Sequence, residues 1–281
     1  MPLHLPEPDQ PEPDWSGSEQ PTAVPPAALS WRVFGAAVGL GLAVAIACFV
    51  VGYLALQLLA TAESLHLLPT RLLYNALGSI GIRWAPFWLG LESLLVYGGF
   101  FLGVRIVVRR TPGLTWASLG WRPAPLGAYL LVPPIYLATL FCSGVALAIE
   151  AALFFHGRVD QLNNPHTNPQ QAALSVAAHP SAGELLLLFL AMAVVGPIVE
   201  ELVFRALLFQ VLRRHLPLWG AAMLSALIFA VLHFIPVLLP ALFIFGVVLA
   251  LVFHYTRSLY CSALLHMLIN AVAVVLIVTR P

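Results

Sequence analysis

The sequence predicts an all-α fold: a polytopic membrane helix bundle with about seven transmembrane helices, within a range of about six to eight. The composition is the first reason, because 60% of the 281 residues are hydrophobic and 9% are charged, whereas soluble domains carry about 25% charged residues. The second is a series of apolar runs that reach the ~20 residues a helix needs to cross a bilayer. The third is that the arginines fall mainly between these runs.

The first thirty residues differ from the rest of the chain. Residues 1–30 are rich in proline and contain five of the twelve acidic residues. Such a segment buries too little apolar surface to offset the entropy lost on ordering. We therefore predict a disordered tail over 1–30 and a membrane domain over 31–281, with the polar residues of interest gathered in a core at about 180–279.

Seven apolar runs are the predicted spans, with boundaries uncertain by several residues. They cover 33–60, 84–108, 127–155, 183–212, 218–236, 237–256 and 259–279. Pro133, Pro134 and Pro197 lie inside spans, which membrane helices tolerate when neighbouring groups satisfy the freed carbonyls. The amphipathic segment 61–83 is expected at the membrane interface and leaves room for part of an eighth span.

Arginine placement predicts the orientation. With a cytoplasmic N-terminus, eight arginines lie inside and four lie outside, which fits the positive-inside rule. The inside set is Arg32, Arg105, Arg109, Arg110, Arg122, Arg213, Arg214 and Arg257, and the outside set is Arg71, Arg83, Arg158 and Arg280. We expect an integral protein of the plasma (inner) membrane, with its polar site opening toward the cytoplasm.

Polar side chains inside the predicted spans mark a candidate site. Ionisable residues are rare in membrane helices and usually functional, and most of those here fall in the last four predicted spans. Five ionisable side chains and one amide form the candidate set: Glu200, Glu201, Arg205, His233, His266 and Asn270.

Helical spacing sorts these residues by face. Glu201 and Arg205 are four residues apart, so they share a face and can pair. Glu200 lies about 100° round the helix from Glu201 and can point elsewhere. His266 and Asn270 are also four apart, so their side chains project toward one place.

Counting the rise per residue from the helix ends places the carboxylates, His233, His266 and Asn270 at a similar depth. A carboxylate, alone or with a histidine, can deprotonate water, and imidazole and amide groups can stabilise an oxyanion. The set therefore predicts a hydrolytic site facing a cytoplasmic vestibule. The ligand types of Glu200, His233 and His266 would equally suit zinc with an open position for water, so zinc stays open as a cofactor.

Three motifs, in this order, resemble the signature of the CPBP family, also called Abi. They are Glu200-Glu201-x-x-x-Arg205, Phe229-x-x-x-His233 and His266-x-x-x-Asn270, and the resemblance covers about residues 180–279. The stretch ASLGWRP before the third span looks like a common family lead-in. The family contains type II CAAX prenyl endopeptidases and bacteriocin-processing or immunity proteins.

The resemblance implies a role for each motif position. Glu200 would be the general base on water, assisted by His233, and Glu201 would form a structural ion pair with Arg205. His266 would form an oxyanion site with Asn270 or would be a metal ligand. The implied activity is that of an intramembrane endopeptidase, which would depend either on glutamate or on a metal. Its substrate would be a membrane-bound protein or peptide, either with or without a prenylated CAAX end.

Two other functions stay open. Intramembrane carboxylates and histidines also serve transporters and proton relays, although the sequence has no internal repeat. A non-proteolytic immunity or scaffold protein of the same fold is the second alternative. The lipid bilayer is an expected partner, whereas the net charge of +1 gives no indication of a nucleic-acid partner. Glu92 and His254 also lie in or near predicted spans, without a predicted role.

Overall fold

A computed structural model describes residues 29–64, 85–154, 156 and 181–278. Within these ranges the chain is helical and contains no strand, which confirms the predicted fold class. The predicted tail over 1–30 lies outside the described residues apart from its last two. The predicted interfacial segment 61–83 lies outside them from residue 65 onward, and residues 61–64 continue the first helix.

Seven helices are found in the described ranges. They are α1 (Trp31–Ser64), α2 (Ala85–Arg110), α3 (Leu126–Phe154, with one turn residue at Leu131), α4 (Ala182–Leu212), α5 (Leu218–Val231), α6 (Leu239–Thr256) and α7 (Leu259–Val278). Six of the seven are long and apolar enough to cross a membrane. The shorter α5 is the exception.

The fifth predicted span, 218–236, is wrong at its C-terminal end. Helix α5 ends at Val231, and the following residues form a turn in which Phe234 has a φ of 54°. Pro236 explains the end, because proline disfavours helical backbone in the residue before it; Ile235 accordingly has φ −120° and ψ 85°. The 14 residues of α5 span about 21 Å at ~1.5 Å per residue, which is less than the ~30 Å of a bilayer core.

Helix α4 is continuous but changes its hydrogen-bonding pattern twice. It begins with a capping box in which Ser181 and Glu184 satisfy each other's backbone N–H groups. Two π-helical segments, Leu190–Val195 and Leu202–Phe209, flank the α-helical turn Gly196–Glu201. Such π-helical turns are frequent at functional sites, and here they enclose the two adjacent glutamates.

The largest buried core lies where the second half of α4 meets α5, α6 and the start of α7. Its members include Leu202, Leu207, Phe209, Ala221, Ala250, Phe253 and Leu259. The connection between α2 and α3, which contains the ASLGWRP stretch, docks on this core. Gly120 has a φ of 87°, and a Cβ there would lie 2.5 Å from Phe253 Cε2. Its carbonyl accepts a 2.8 Å hydrogen bond from the Leu259 N–H, which fixes the start of α7.

The outward faces of the helices are apolar. Phe49 on α1 is 71% exposed, and Phe141 and Leu153 on α3 are 72% and 71% exposed. Contiguous exposed apolar surface of this kind marks a membrane or protein contact. Together with the six spans of membrane length, it makes this an integral membrane protein.

Candidate active site

Three ionisable side chains from three different elements face one another. Glu200 projects from α4, His233 from the turn after α5, and His266 from α7. Glu200 Oε2 lies 3.9 Å from His233 Nε2 and 3.7 Å from His266 Nε2. Both separations are longer than a hydrogen bond, and a water molecule can bridge polar groups at such distances.

A buried layer lies beneath this cluster. Glu201 Oε1 lies 3.0 Å from Arg205 Nη1 and 3.0 Å from His266 Nδ1. All three side chains are at most 1% exposed. The Arg205 guanidinium carbon also lies 4.6 Å from the centre of the Phe229 ring, and its Nη2 donates to the Gly246 carbonyl at 3.4 Å. Arg205 therefore compensates the charge of the second glutamate where water does not reach it.

The hydrogen-bond partners fix which ring nitrogen of each histidine carries a proton. His233 Nδ1 lies 2.7 Å from the Phe229 carbonyl oxygen, which can only accept, so Nδ1 is the donor. His266 Nδ1 donates to the Glu201 carboxylate in the same way. Each neutral ring therefore presents an unprotonated Nε2 toward Glu200.

The backbone of α4 explains the position of Asn270. The Gly196 N–H bonds to Ala191, one residue beyond the α-helical partner Met192, and Pro197 has no N–H to offer. The Met192 carbonyl thus loses its partners within the helix, and the Asn270 side-chain amide donates to it at 2.9 Å. Asn270 joins α7 to α4, and its predicted oxyanion role stays a prediction.

Sequence reasoning missed one residue of the site. The Tyr97 hydroxyl, on α2, donates a 2.7 Å hydrogen bond to Glu200 Oε1. No motif surrounds Tyr97, and α2 reads as a generic membrane helix. The available signal was a phenol in an apolar span, because a buried tyrosine hydroxyl usually finds a hydrogen-bond partner.

The cluster is accessible from one side. The side chains of Glu200 and His233 are 17% and 21% exposed, whereas His266 is 1% exposed. Phe229 is fully buried, and its ring packs against the rings of His233 and His266 at centroid distances of 4.4 and 5.8 Å. The open side therefore exposes the first glutamate and His233, and the second glutamate stays enclosed.

Glu92 and His254, which have no predicted role, have surroundings that differ from those of the cluster around Glu200. Glu92 is exposed on α2. His254, near the end of α6, packs against the rings of Phe209 and Tyr255. These contacts indicate packing at the end of the bundle for His254.

Comparison with known proteins finds similarity to membrane peptidases. The family described as "Type II CAAX prenyl endopeptidase Rce1-like" matches residues 182–272, which contain all six predicted site residues. A Bacillus subtilis (strain 168) protein named "Putative membrane peptidase YdiL" is 24% identical over 187 residues, covering 66% of this chain and 71% of that protein. Both findings support the predicted resemblance to the CPBP family. No solved structure matches it.

Zinc is the metal that the sequence left open for these residues. The donor types fit, because zinc prefers histidine nitrogen and carboxylate oxygen, and both histidines turn Nε2 toward Glu200. Their placement does not fit: within the described ranges, no group of three or more His, Cys, Asp or Glu side chains could hold a metal ion. The side chains as they stand therefore do not form a zinc site.

Proposed function

We propose that the chain is an intramembrane endopeptidase that hydrolyses a peptide bond of a membrane-associated protein or peptide. The observation that carries the proposal is the half-open cluster in which Glu200 Oε2 faces the Nε2 atoms of His233 and His266. Within the described part of the chain, this buried carboxylate oxygen accepts no hydrogen bond. It is therefore free to accept one from water. The family match and the name of the relative support peptidase chemistry.

Water activation is the first step of the proposed mechanism. A water molecule between Glu200 Oε2 and His233 Nε2 donates a hydrogen bond to each, since both are acceptors when His233 is neutral. Glu200 takes the proton as the water oxygen adds to the carbonyl carbon of the scissile peptide bond. The products of this step are a tetrahedral intermediate with an oxyanion and a protonated Glu200.

Oxyanion stabilisation constrains the protonation of His266. Its Nδ1–H is directed at Glu201, so Nε2 can donate to an oxyanion only when the ring is doubly protonated. Asn270 uses one amide hydrogen on Met192 and keeps a second donor. We propose that the Nε2–H of a doubly protonated His266 and this second Asn270 amide hydrogen are the oxyanion donors.

Collapse of the intermediate completes the reaction. Glu200 returns its proton to the departing nitrogen, the carbon–nitrogen bond breaks, and the carbonyl re-forms. The products are a carboxylic acid and an amine, so one water is consumed for each peptide bond. No further reactant is required.

The Glu200→Gln variant tests this proposal. The substrate would be a membrane-reconstituted peptide set that includes a prenylated CAAX peptide and its unprenylated counterpart. Removing the general base should reduce kcat by about 10²–10⁴-fold, whereas Glu92→Gln, at another glutamate of a membrane helix, should leave it unchanged. Preference between the two CAAX peptides reports the substrate class.

Other outcomes would favour the alternative functions. Full cleavage by correctly folded Glu200→Gln would overturn the mechanism. An altered proton or solute flux through Glu200→Gln, without any proteolysis by the wild type, would favour a transporter or proton relay. No effect on either activity would favour an immunity or scaffold protein.

Metal content is a separate measurement on the same preparation. We expect active, detergent-solubilised protein to contain far less than one zinc per chain by plasma mass spectrometry, because the described side chains form no zinc site. Near-stoichiometric zinc that is lost when His233→Ala and His266→Ala are combined would contradict this. It would instead make the histidines metal ligands.

A further inference from the structure

We propose that Tyr97 is a positioning residue of this active site, holding one oxygen of Glu200 so that the other faces His233 and His266. The inference rests on the proposed function. Tyr97 lies on α2, outside the region 182–272 that matches the family. It therefore extends the site to the N-terminal half of the chain.

The hydrogen bond from Tyr97 gives the two carboxylate oxygens of Glu200 different roles. The Tyr97 hydroxyl donates to Glu200 Oε1 at 2.7 Å, which is within the range of a charge-assisted bond from a hydroxyl group. Oε2 is the oxygen nearest the two histidine Nε2 atoms. The terminal torsion of a glutamate side chain is broad when unrestrained. A donor on Oε1 therefore restricts the direction in which Oε2 points.

The ring of Tyr97 packs closely against the backbone of α4 at Gly196. A Cβ at Gly196 would lie 2.9 Å from both Cε2 and Cζ of Tyr97, closer than side chains tolerate. Gly196 is buried, and it lies one helical turn before Glu200. The residue that admits the ring and the residue that receives its hydroxyl are thus on the same turn of the helix.

The Tyr97→Phe variant is the main test, because it keeps the ring and removes only the donor. We expect kcat on the reconstituted peptide to fall by about 10- to 100-fold, since small misplacements of a reacting group have effects of this size. KM should stay within about twofold and the unfolding midpoint close to wild type, because the substrate is not expected to touch the hydroxyl.

Tyr129→Phe is the matched control. It also removes a single tyrosine hydroxyl, one that accepts a 3.1 Å hydrogen bond from the Ala124 N–H and does not bond to Glu200. Its kcat should equal that of the wild type. Gly196→Ala is a second variant, expected to reproduce the kcat loss by displacing the ring while the hydroxyl remains. An equal kcat loss in Tyr129→Phe, or an unchanged kcat in Tyr97→Phe, would overturn the proposal.

Infrared spectroscopy separates this inference from the proposed function. The carboxylate band of Glu200, assigned by its loss in Glu200→Gln, should shift in Tyr97→Phe and not in Tyr129→Phe. If the band shifts in Tyr97→Phe but the wild-type protein cleaves no peptide, the Tyr97–Glu200 pairing is upheld and the protease proposal is overturned. An unshifted band would overturn the pairing itself.

Discussion

The second glutamate of the pair, Glu201, has two partners where the sequence suggested one. It forms an ion pair with Arg205 and accepts a hydrogen bond from His266 Nδ1, each at 3.0 Å. The predicted ion pair is therefore continuous with the active-site cluster. If the pair only stabilises the fold, replacing it should affect stability alone. If it also orients His266, replacing it should abolish activity as well.

Replacing the whole pair by apolar residues separates these roles. Glu201→Gln alone should lower the free energy of unfolding by about 3–5 kcal/mol, because it leaves the Arg205 charge buried without a counter-ion. The double variant Glu201→Leu with Arg205→Met should recover most of that loss, as apolar replacements of buried ion pairs often do. It should still be inactive, because His266 Nδ1 has lost its acceptor.

Denaturing-detergent titration in mixed micelles and peptide cleavage measure the two effects. Arg205→Met alone is the control, because it retains the acceptor for His266 and removes only the cation. A stable double variant that cleaves at the wild-type rate would show that the pair has no role in orienting His266.

At the scale of single elements, α4 and α7 are joined where one backbone carbonyl of α4 lacks a hydrogen-bond donor from its own helix. The Met192 carbonyl has no helical partner because Gly196 bonds to Ala191 and Pro197 lacks an N–H. The Asn270 amide replaces the missing donor.

Asn270→Leu should therefore lower the free energy of unfolding by about 1–3 kcal/mol, the usual penalty for a buried group left unsatisfied. Pro197→Ala restores an N–H to α4 and should reduce that penalty when combined with Asn270→Leu. The measurement is a double-mutant cycle by detergent titration. Purely additive effects of the two substitutions would contradict the coupling.

The sequence predicted those features of the helices that depend on residues close together along the chain. Apolar run length is local, and it predicted the spans other than the end of α5. The four-residue spacing of Glu201 and Arg205 is also local, and the pair forms as predicted. Pro236 ended α5 before His233, although the apolar run continued through it.

Long-range contacts could not be predicted in the same way. Tyr97 is 103 residues from Glu200 along the chain, and nothing in the apolar pattern of α2 indicates which helix it faces. The carbonyl that Asn270 binds is likewise set by the π-helical register of α4, which the hydrophobic pattern does not encode. The motifs therefore selected the candidate residues, and packing decided what each one contacts.

At the scale of the whole molecule, the arginines expected on the cytoplasmic side gather at one end of the bundle. Arg122 Nε donates to the Arg257 carbonyl at 3.0 Å, which joins the start of α3 to the end of α6. Arg214, after α4, donates to the Leu29 carbonyl before α1. Phe209, near the end of α4, packs against Phe253 near the end of α6. These contacts support a single basic end.

Cysteine labelling tests which side of the membrane this end faces. In a background with Cys48, Cys142 and Cys261 replaced by alanine, we expect Arg110→Cys to react with an impermeant maleimide only in inside-out vesicles. Arg110 is exposed at the basic end of α2, and the positive-inside rule places that end in the cytoplasm.

His156→Cys, exposed after α3, is the matched control and should react only in right-side-out vesicles. The reverse pattern would place the basic end outside and contradict the proposed cytoplasmic opening. With the expected pattern, Glu200 lies about 18 Å from the cytoplasmic end of α4, at ~1.5 Å per residue. A peptide would then have to enter the bundle from the cytoplasmic leaflet to reach the activated water.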